Sequence, residues 1–434
     1  MKHEAVDLLS QYLQIDTTNP PGNENKGVEF LAGILEKEGI EYKTYQASPG
    51  RSSIKAVLPG TGEKGAVILL NHIDVVPAKA AEWSVHPFSG ALKDGFIYGR
   101  GALDMKSLGI LELLAFLEVK RQGLTPCRDI IFLAVADEET GGAQGAQYLL
   151  DKYPDEFQAD LVINEGGFGL TDALANRPLF MLTTAEKGLC QIKLTCTGPP
   201  GHGSAPHADN ALERLVRGLN RVLAQENPVV VTPLIAEYFK QLGTEREFLK
   251  PYLADGKTET LVEILTQNGV LEIPQMSAML RNTISLNRMH SGNKTNVIPS
   301  QAEAEFDIRL LPGTEPNTVI ADIKKLLADD SIKVEVIKKA SASESAINTE
   351  AFSIIKNVHL KHFPDSLTVA SLLFGASDSR FFRSKGITCY GVCPMLISME
   401  ELNRVHGIDE RISEENLIKG TEVFTDIVKS LCRI

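Results

Sequence analysis

The sequence predicts an α/β protein that carries a smaller, inserted α+β domain. Three observations lead there. Across residues 25–165, short apolar runs bounded by Gly and Pro alternate with helical stretches, the pattern of βα units in a largely parallel, covered sheet. From residue 190 to residue 338 the order becomes β-α-β-β-α-β, a split ferredoxin-like arrangement. Beyond about residue 346 the first texture returns, so the small domain interrupts the large one. The expected division is 1–187 with 346–434 for the large domain and 188–345 for the insert.

The first stretch, MKHEAVDLLSQYLQ, sets Val6, Leu9 and Leu13 on one face of an amphipathic helix. DTTNPPGNE is a loop, and a helix from Glu24 to Glu38 follows, stopped by Gly39. Strands near 42–45 and 54–58 precede AVILLNHIDVV, whose run Ala66–Leu70 is a buried strand between Gly65 and Pro77. Residues 77–101, with the single Trp83, form a long ordered loop. A helix over 106–122 leads to DIIFLAVADEETGG, a strand running into acids. A helix over 145–152 then leads to LVINEGG, another such strand. In the insert, CQIKLTCT is a strand, followed by a helix over 210–224, strands near 283–289 and 302–311, a helix over 316–328 and a strand over 332–338. Residues 228–282 interrupt it with helical and irregular sequence. A helix over 349–361, a Gly-rich turn at FGASDSRFFR, a strand over 387–392 and a helix over 413–431 complete the chain.

At 434 residues the chain exceeds what one core serves. Its 44 basic and 56 acidic residues give −12, with no basic tract, which argues against nucleic acid and anionic membrane as partners. No apolar span reaches membrane length, and the N-terminal stretch lacks the apolar core and cleavage site of a signal peptide. The six cysteines form no CxxC pair and lie mostly in apolar runs, as expected of buried thiols in a cytoplasmic protein.

In an extended segment residues i and i+2 point the same way. His72 and Asp74 therefore lie side by side at the carboxyl end of a core strand, where open α/β sheets place their sites. Two more strands run into acids, at Glu138–Glu139 and Glu165. Asp104 follows the GRGALD loop, and His406 lies in RVHGIDERI before the last helix. Solvated acids at strand ends are common; three strands of one sheet repeating the pattern are not. His3, His86, His359 and His362 read as solvated and His290 as structural. Two imidazoles with several carboxylates and no clustered cysteines suit a pair of divalent ions, zinc first. Such a pair needs a bridging carboxylate, and its chemistry needs a further one left free to carry a proton. The adjacent Glu138 and Glu139 supply one ligand and one base.

The motifs NHIDVVPA, WSVHPFSG, DGFIYGRGALDMK, DEETGG, EGG, EKG, GHGSAP, TNVIP, DSRFF and RVHGIDERIS span nearly the whole chain. Together they resemble the dinuclear zinc aminoacylase/carboxypeptidase/desuccinylase metallopeptidases, above all the branch of carboxypeptidase S and N-fatty-acyl-amino-acid hydrolase. The resemblance implies a zinc-exopeptidase-like α/β/α catalytic domain with a ferredoxin-like lid. It also implies two zinc ions, replaceable in vitro by cobalt or manganese. His72 and Glu165 would hold the first ion, Glu139 and His406 the second, with Asp104 bridging. Glu138 matches the general base, Asp74 the acid that orients a histidine ligand, and His202 a lid histidine that polarises the scissile carbonyl. A cis peptide is implied after Asp104. Asn296 and Arg309 match substrate-binding positions, the guanidinium fork suiting a free carboxylate. Arg380 either joins that carboxylate site or braces Asp378. Minimal relatives dimerise through their lids and lend His202 to the partner. The longer segment 228–282 leaves open a homodimer of that kind or His202 acting in cis.

The expected function is that of a cytoplasmic two-metal amidohydrolase that releases an amino acid bearing a free carboxylate from N-acyl amino acids or short peptides. One rival runs the same site reversibly as an N-acyl amino acid synthase. Another binds metal or peptide without turnover, and would have no use for Glu138. Leu234, Ile235, Tyr238, Phe239, Leu242 and Phe248 in the insert are either an acyl pocket or core at helical spacing.

Overall fold

The computed structural model describes residues 3–174 and 177–434 and divides the chain into two compact units. One comprises residues 1–184, 345–371 and 377–434, the other residues 185–344 and 372–376.

The sheet of the first unit runs, in spatial order, Tyr42–Ser48, Arg51–Leu58, Ile130–Val135, Val67–His72, Leu161–Asn164, Thr388–Gly391 and Leu179–Glu186. The four strands from Ile130–Val135 to Thr388–Gly391 are parallel. Their neighbours on either side, Arg51–Leu58 and Leu179–Glu186, pair antiparallel. Every residue of Val67–His72 and Ile130–Val135 is buried, as continuous apolar runs in a doubly covered sheet must be. On one face Ile68, Leu70, Ile131 and Leu133 pack with Leu149, Phe157 and Phe382. The helix Lys106–Arg121, buried over most of its length, also packs on these strands, with Glu4–Leu13 and Glu414–Cys432 against it.

The stretch expected as loop contains a hairpin, Ala91–Lys93 with Phe96–Tyr98, that pairs with Arg411–Ser413 near the other end of the chain. The two longest strands to escape the sequence reading, Leu179–Glu186 and Leu367–Leu373, pair with each other.

His359, expected in solvent, is buried instead. The helix Glu350–His362 turns Phe352, Ile355 and His359 inward. The imidazole stacks on Phe180 with centroids 4.1 Å apart, and its Nδ1 lies 3.1 Å from Thr368 Oγ1. Burial, with His362 adding to it, pushes the pKa down to about 3. A folded value below the unfolded one means that the unfolded chain takes the proton first. Stability present at neutral pH is then lost as pH falls from about 6.5 toward 3. At pH 5 the expected loss is about 2 kcal/mol. It should appear as a falling urea midpoint in wild type and not in His359→Phe; equal falls would exclude His359 as the cause.

The second unit has an antiparallel sheet in the order Thr283–Ser291, Gln301–Leu310, Gly188–Thr197, Lys333–Ala340. Alternate residues Ile192, Leu194, Phe306 and Ile308 face the helices Ala211–Leu223 and Pro316–Leu327, meeting Leu215, Leu219 and Ile323. Segment 228–282 forms the helices Pro233–Leu242, Lys250–Asp255, Thr258–Gln267 and Pro274–Leu280. Leu234, Ile235, Tyr238, Phe239 and Leu242 are buried and Phe248 is partly so.

Candidate active site

Three parallel strands deliver the cluster. Their register sets Val135 opposite His72. The turn after Ile130–Val135 and Glu165 after Leu161–Asn164 therefore flank the imidazole on its two sides. His72 Nε2 lies 3.0 Å from Asp104 Oδ1 and 3.7 Å from Glu165 Oε2. His406 Nε2 lies 3.0 Å from Asp104 Oδ2 and 3.3 Å from Glu139 Oε2. Asp104 thus turns one oxygen to each histidine. Donor atoms of His72, Glu138 and Glu165 fall within 4.8 Å of one another, as do those of His72, Asp104 and Glu139.

The electrostatics of this cluster are lopsided. Burial, reinforced by Glu165, holds Glu138 protonated well above the usual carboxylate range. Burial and then Asp104 raise Glu165 to about 7, and burial raises Glu139. Hydrogen bonds to Asp104 and Glu139 raise His406 to about 10. For His72 burial opposes protonation, yet Glu165 and Asp104 outweigh it and the pKa ends well above normal. Carboxyls that resist ionising beside imidazoles that resist losing charge mark a site short of positive charge. Glu139 Oε1 is also buried without a hydrogen-bond partner. A pair of divalent cations would meet both needs with this nitrogen and oxygen donor set.

Two loops bring Asp104 and His406 together, and a residue pair that sequence reasoning missed welds them. Glu410, fully buried, accepts from the backbone N–H groups of Leu103 (2.7 Å), Asp104 (3.0 Å) and Gly101 (3.1 Å), and from Arg100 Nη1 at 2.5 Å. Arg100 Nη2 donates to the carbonyls of His406 (3.3 Å) and Gly407 (2.8 Å). His406 holds φ +61°, a left-handed conformation that its loop must maintain. The Asp104–Met105 peptide is cis.

Asp74 has a different task from the one expected. His72 Nδ1 lies 2.9 Å from the backbone carbonyl of Asp74, whereas the nearer carboxylate oxygen is 3.7 Å away. The main chain of Asp74 orients the His72 ring. Its carboxylate instead accepts the backbone N–H groups of Glu138 and Glu139, each at 3.1 Å. Asp74 is in neither group of clustered donor atoms.

Arg380 is spent on backbone, donating to Ser377 O at 2.9 Å and Gly141 O at 3.0 Å, with its guanidinium 4.5 Å from the Phe381 ring centroid. Both oxygens of Asp378 are buried without hydrogen-bond partners, so Arg380 does not brace it by hydrogen bonding.

In the second unit His202 and Asn296 are neighbours. Gly201–His202 pairs with Val297–Ile298, and Gly203 N donates to Asn296 O at 2.8 Å. His202 Nδ1 accepts from Ser204 N at 3.2 Å and lies 2.7 Å from Ser204 Oγ. Arg309 lies elsewhere. It sits eight residues along the strand that begins at Gln301, roughly 26 Å away at ~3.3 Å per residue. Its Nε and Nη2 donate to Asp307 at 2.8 and 3.2 Å. Asn296 and Arg309 of one chain therefore do not grip a single carboxylate together.

A bridging carboxylate between two imidazoles, ringed by further acids at the carboxyl edge of a parallel sheet, defines a metal-dependent hydrolase site. The profile of peptidase family M20/M25/M40 matches residues 68–430, and the chain belongs to that family. It is 30% identical to human N-fatty-acyl-amino acid synthase/hydrolase PM20D1 over 357 residues, covering 80% of this chain and 70% of that one. It is 28% identical to human aminoacylase-1 over 450 aligned positions, covering 100% of this chain and 96% of the relative. Its fold matches an M20 family metallo-carboxypeptidase of Sulfolobus solfataricus with a TM-score of 0.77 at 20% identity, over 100% of both chains. The chain is a hydrolytic enzyme of this metal-dependent family. Among the described residues, no helix is long and apolar enough to cross a membrane.

Proposed function

We propose that this chain hydrolyses the amide bond between an acyl group and an amino acid with a free carboxylate, in N-acyl amino acids or short peptides, in the cytosol. The observation that carries the proposal is Asp104, with each oxygen 3.0 Å from a different imidazole. On this reading His72, Glu165 and Asp104 would hold one zinc ion, and Asp104, Glu139 and His406 would hold a second. Zinc so held would supply Lewis acidity toward a carbonyl and would lower the pKa of water to about 7. Glu138, adjacent to a ligand and with its proton affinity raised by burial, takes the proton of the attacking water and hands it to the leaving amine. Acceptance at Nδ1 from Ser204 N leaves the neutral His202 ring with its proton on Nε2, the donor a scissile carbonyl oxygen requires. Asn296 acts beside His202. Arg309, aligned by Asp307, anchors the substrate carboxylate; because it lies roughly 26 Å along its strand at ~3.3 Å per residue from the end where His202 and Asn296 sit, the two ends serve one substrate from different protomers of a homodimer. The open edge strands Thr283–Ser291 and Lys333–Ala340, with Met289, Val336 and Ile337 exposed, support a homodimer formed through the second unit. The same catalytic groups serve condensation when acid and amine are in excess.

The test combines zinc analysis with a hydrolysis screen over N-acyl amino acids, dipeptides and their carboxyl-amidated counterparts. Two zinc ions per chain are expected. Arg309→Ala should raise KM for free acids at least tenfold and leave the amidated substrates unchanged. Equal losses on both sets would remove Arg309 from carboxylate recognition, and fewer than two metals would sink the dinuclear reading.

A further inference from the structure

The loop over residues 16–24 sends Asn19 into the buried ground beneath the cluster of acids and histidines. Asn19 Nδ2 donates to Asp74 Oδ2 at 2.7 Å and lies 3.3 Å from Asp137 Oδ1 and 3.1 Å from Thr140 Oγ1. Its Oδ1 accepts from Arg51 Nη1 at 3.2 Å. The amide cannot be reversed: a guanidinium only donates and a carboxylate only accepts, so oxygen must face Arg51 and nitrogen the acids. Arg51 is fixed in turn by Asp137 Oδ1 at 2.7 Å, Glu24 Oε1 at 2.9 Å and Pro21 O at 2.9 Å. Asn19, Asp74, Asp137, Glu24 and Arg51 are all buried.

The two carboxylates that Asn19 touches shape the turn bearing Glu138 and Glu139. Asp74 receives both of their backbone N–H groups. Asp137 precedes them at φ +73°, a left-handed conformation costly for a residue with a side chain, and its carboxylate accepts Gln144 N at 2.8 Å and the Thr140 hydroxyl. Without Asn19, Asp74 loses a donor and is free to rotate away from the two amides.

We propose that Asn19 is a positioning residue for the Glu138–Glu139 pair, holding the Asp74 carboxylate square to the turn that spaces the base against the metal ligand. The inference rests on the reading of Glu138 as base and Glu139 as ligand. It extends the working site to a segment more than 50 residues from the nearest member of the cluster.

The test uses the full chain as wild type, Asn19→Ala and Asn19→Ser, the serine keeping a shorter donor in case the alanine variant fails to fold. Hydrogen exchange is followed with and without chelator, together with zinc stoichiometry, chelator competition and steady-state kinetics. In both variants the Glu138 and Glu139 amides should exchange at least tenfold faster while those of Val67–Leu70 hold their rate. Zinc affinity and kcat should each fall roughly 10- to 100-fold, as for other groups that orient metal ligands, with KM within twofold. Amides, affinity and kcat all at wild-type values would overturn the proposal, as would exchange accelerated equally through the central strand. A wild-type chain that binds no zinc would overturn the metal reading and this inference with it. Wild type with two zinc ions beside unchanged variants overturns the inference alone.

Discussion

Glu138→Gln should lower kcat roughly 100- to 10,000-fold, the usual contribution of a general base, while leaving KM and zinc content near their wild-type values. Glutamine matches glutamate in shape and still accepts at one oxygen, so the turn and its bonds to Asp74 persist. What it cannot do is take a proton from water. Zinc content is the discriminating measurement. Donor atoms of His72, Glu138 and Glu165 come within 4.8 Å of one another, a spacing that also suits a ligand. Were Glu138 a ligand, the amide would cost metal as well as turnover, and the base would have to be sought elsewhere. Glu138→Asp keeps the carboxylate but withdraws it by one methylene, and should fall between wild type and the amide. Activity of Glu138→Gln within tenfold of wild type would remove Glu138 from the chemistry.

How far the site was legible follows from where its residues stand. His72, Glu138, Glu139 and Glu165 close apolar strands, and a parallel sheet sends all such ends to one edge, so their assembly was readable before any coordinates. The partner of His72 was not. The alternation rule that set Asp74 beside it fails because the strand stops at His72, and beyond that point the main chain turns its carbonyl to the ring. His359 was misread from its polar neighbours Lys361 and His362, although its spacing from Phe352 and Ile355 already carried the helical period of a buried face. The separation of Asn296 from Arg309 was latent in the eight residue steps of strand from Gln301 to Arg309. Asn19, Arg100 and Glu410 gave no periodic signal at all. They are single polar residues in loops, and the partners Arg100 and Glu410 lie 310 positions apart.

That last pair should give the largest loss of stability. Arg100 and Glu410 are both buried, so removing one leaves an uncompensated charge, at a cost of about 3–5 kcal/mol. Glu410→Gln is the sharper variant because volume is kept. Its amide nitrogen must face Arg100 and Gly101, or else Leu103 and Asp104, and each of these offers only a donor toward it. The backbone of Asp104 then slackens where it must hold each carboxylate oxygen near a histidine, and the His406 loop loses the anchor that kept Arg100 on its carbonyls. Stability and zinc should fall together. Asp104→Asn provides the contrast: it removes the bridging charge without touching Glu410. Burial opposes ionisation of Asp104, but the imidazoles of His406 and His72 outweigh it and hold the carboxyl below its usual range. The asparagine should therefore lose zinc and, in the metal-free protein, the ion pairs with those two histidines, with a smaller fall in urea midpoint than Glu410→Gln gives. If Glu410→Gln instead retained both zinc ions at full affinity, the Asp104 loop would be held by something other than this buried carboxylate.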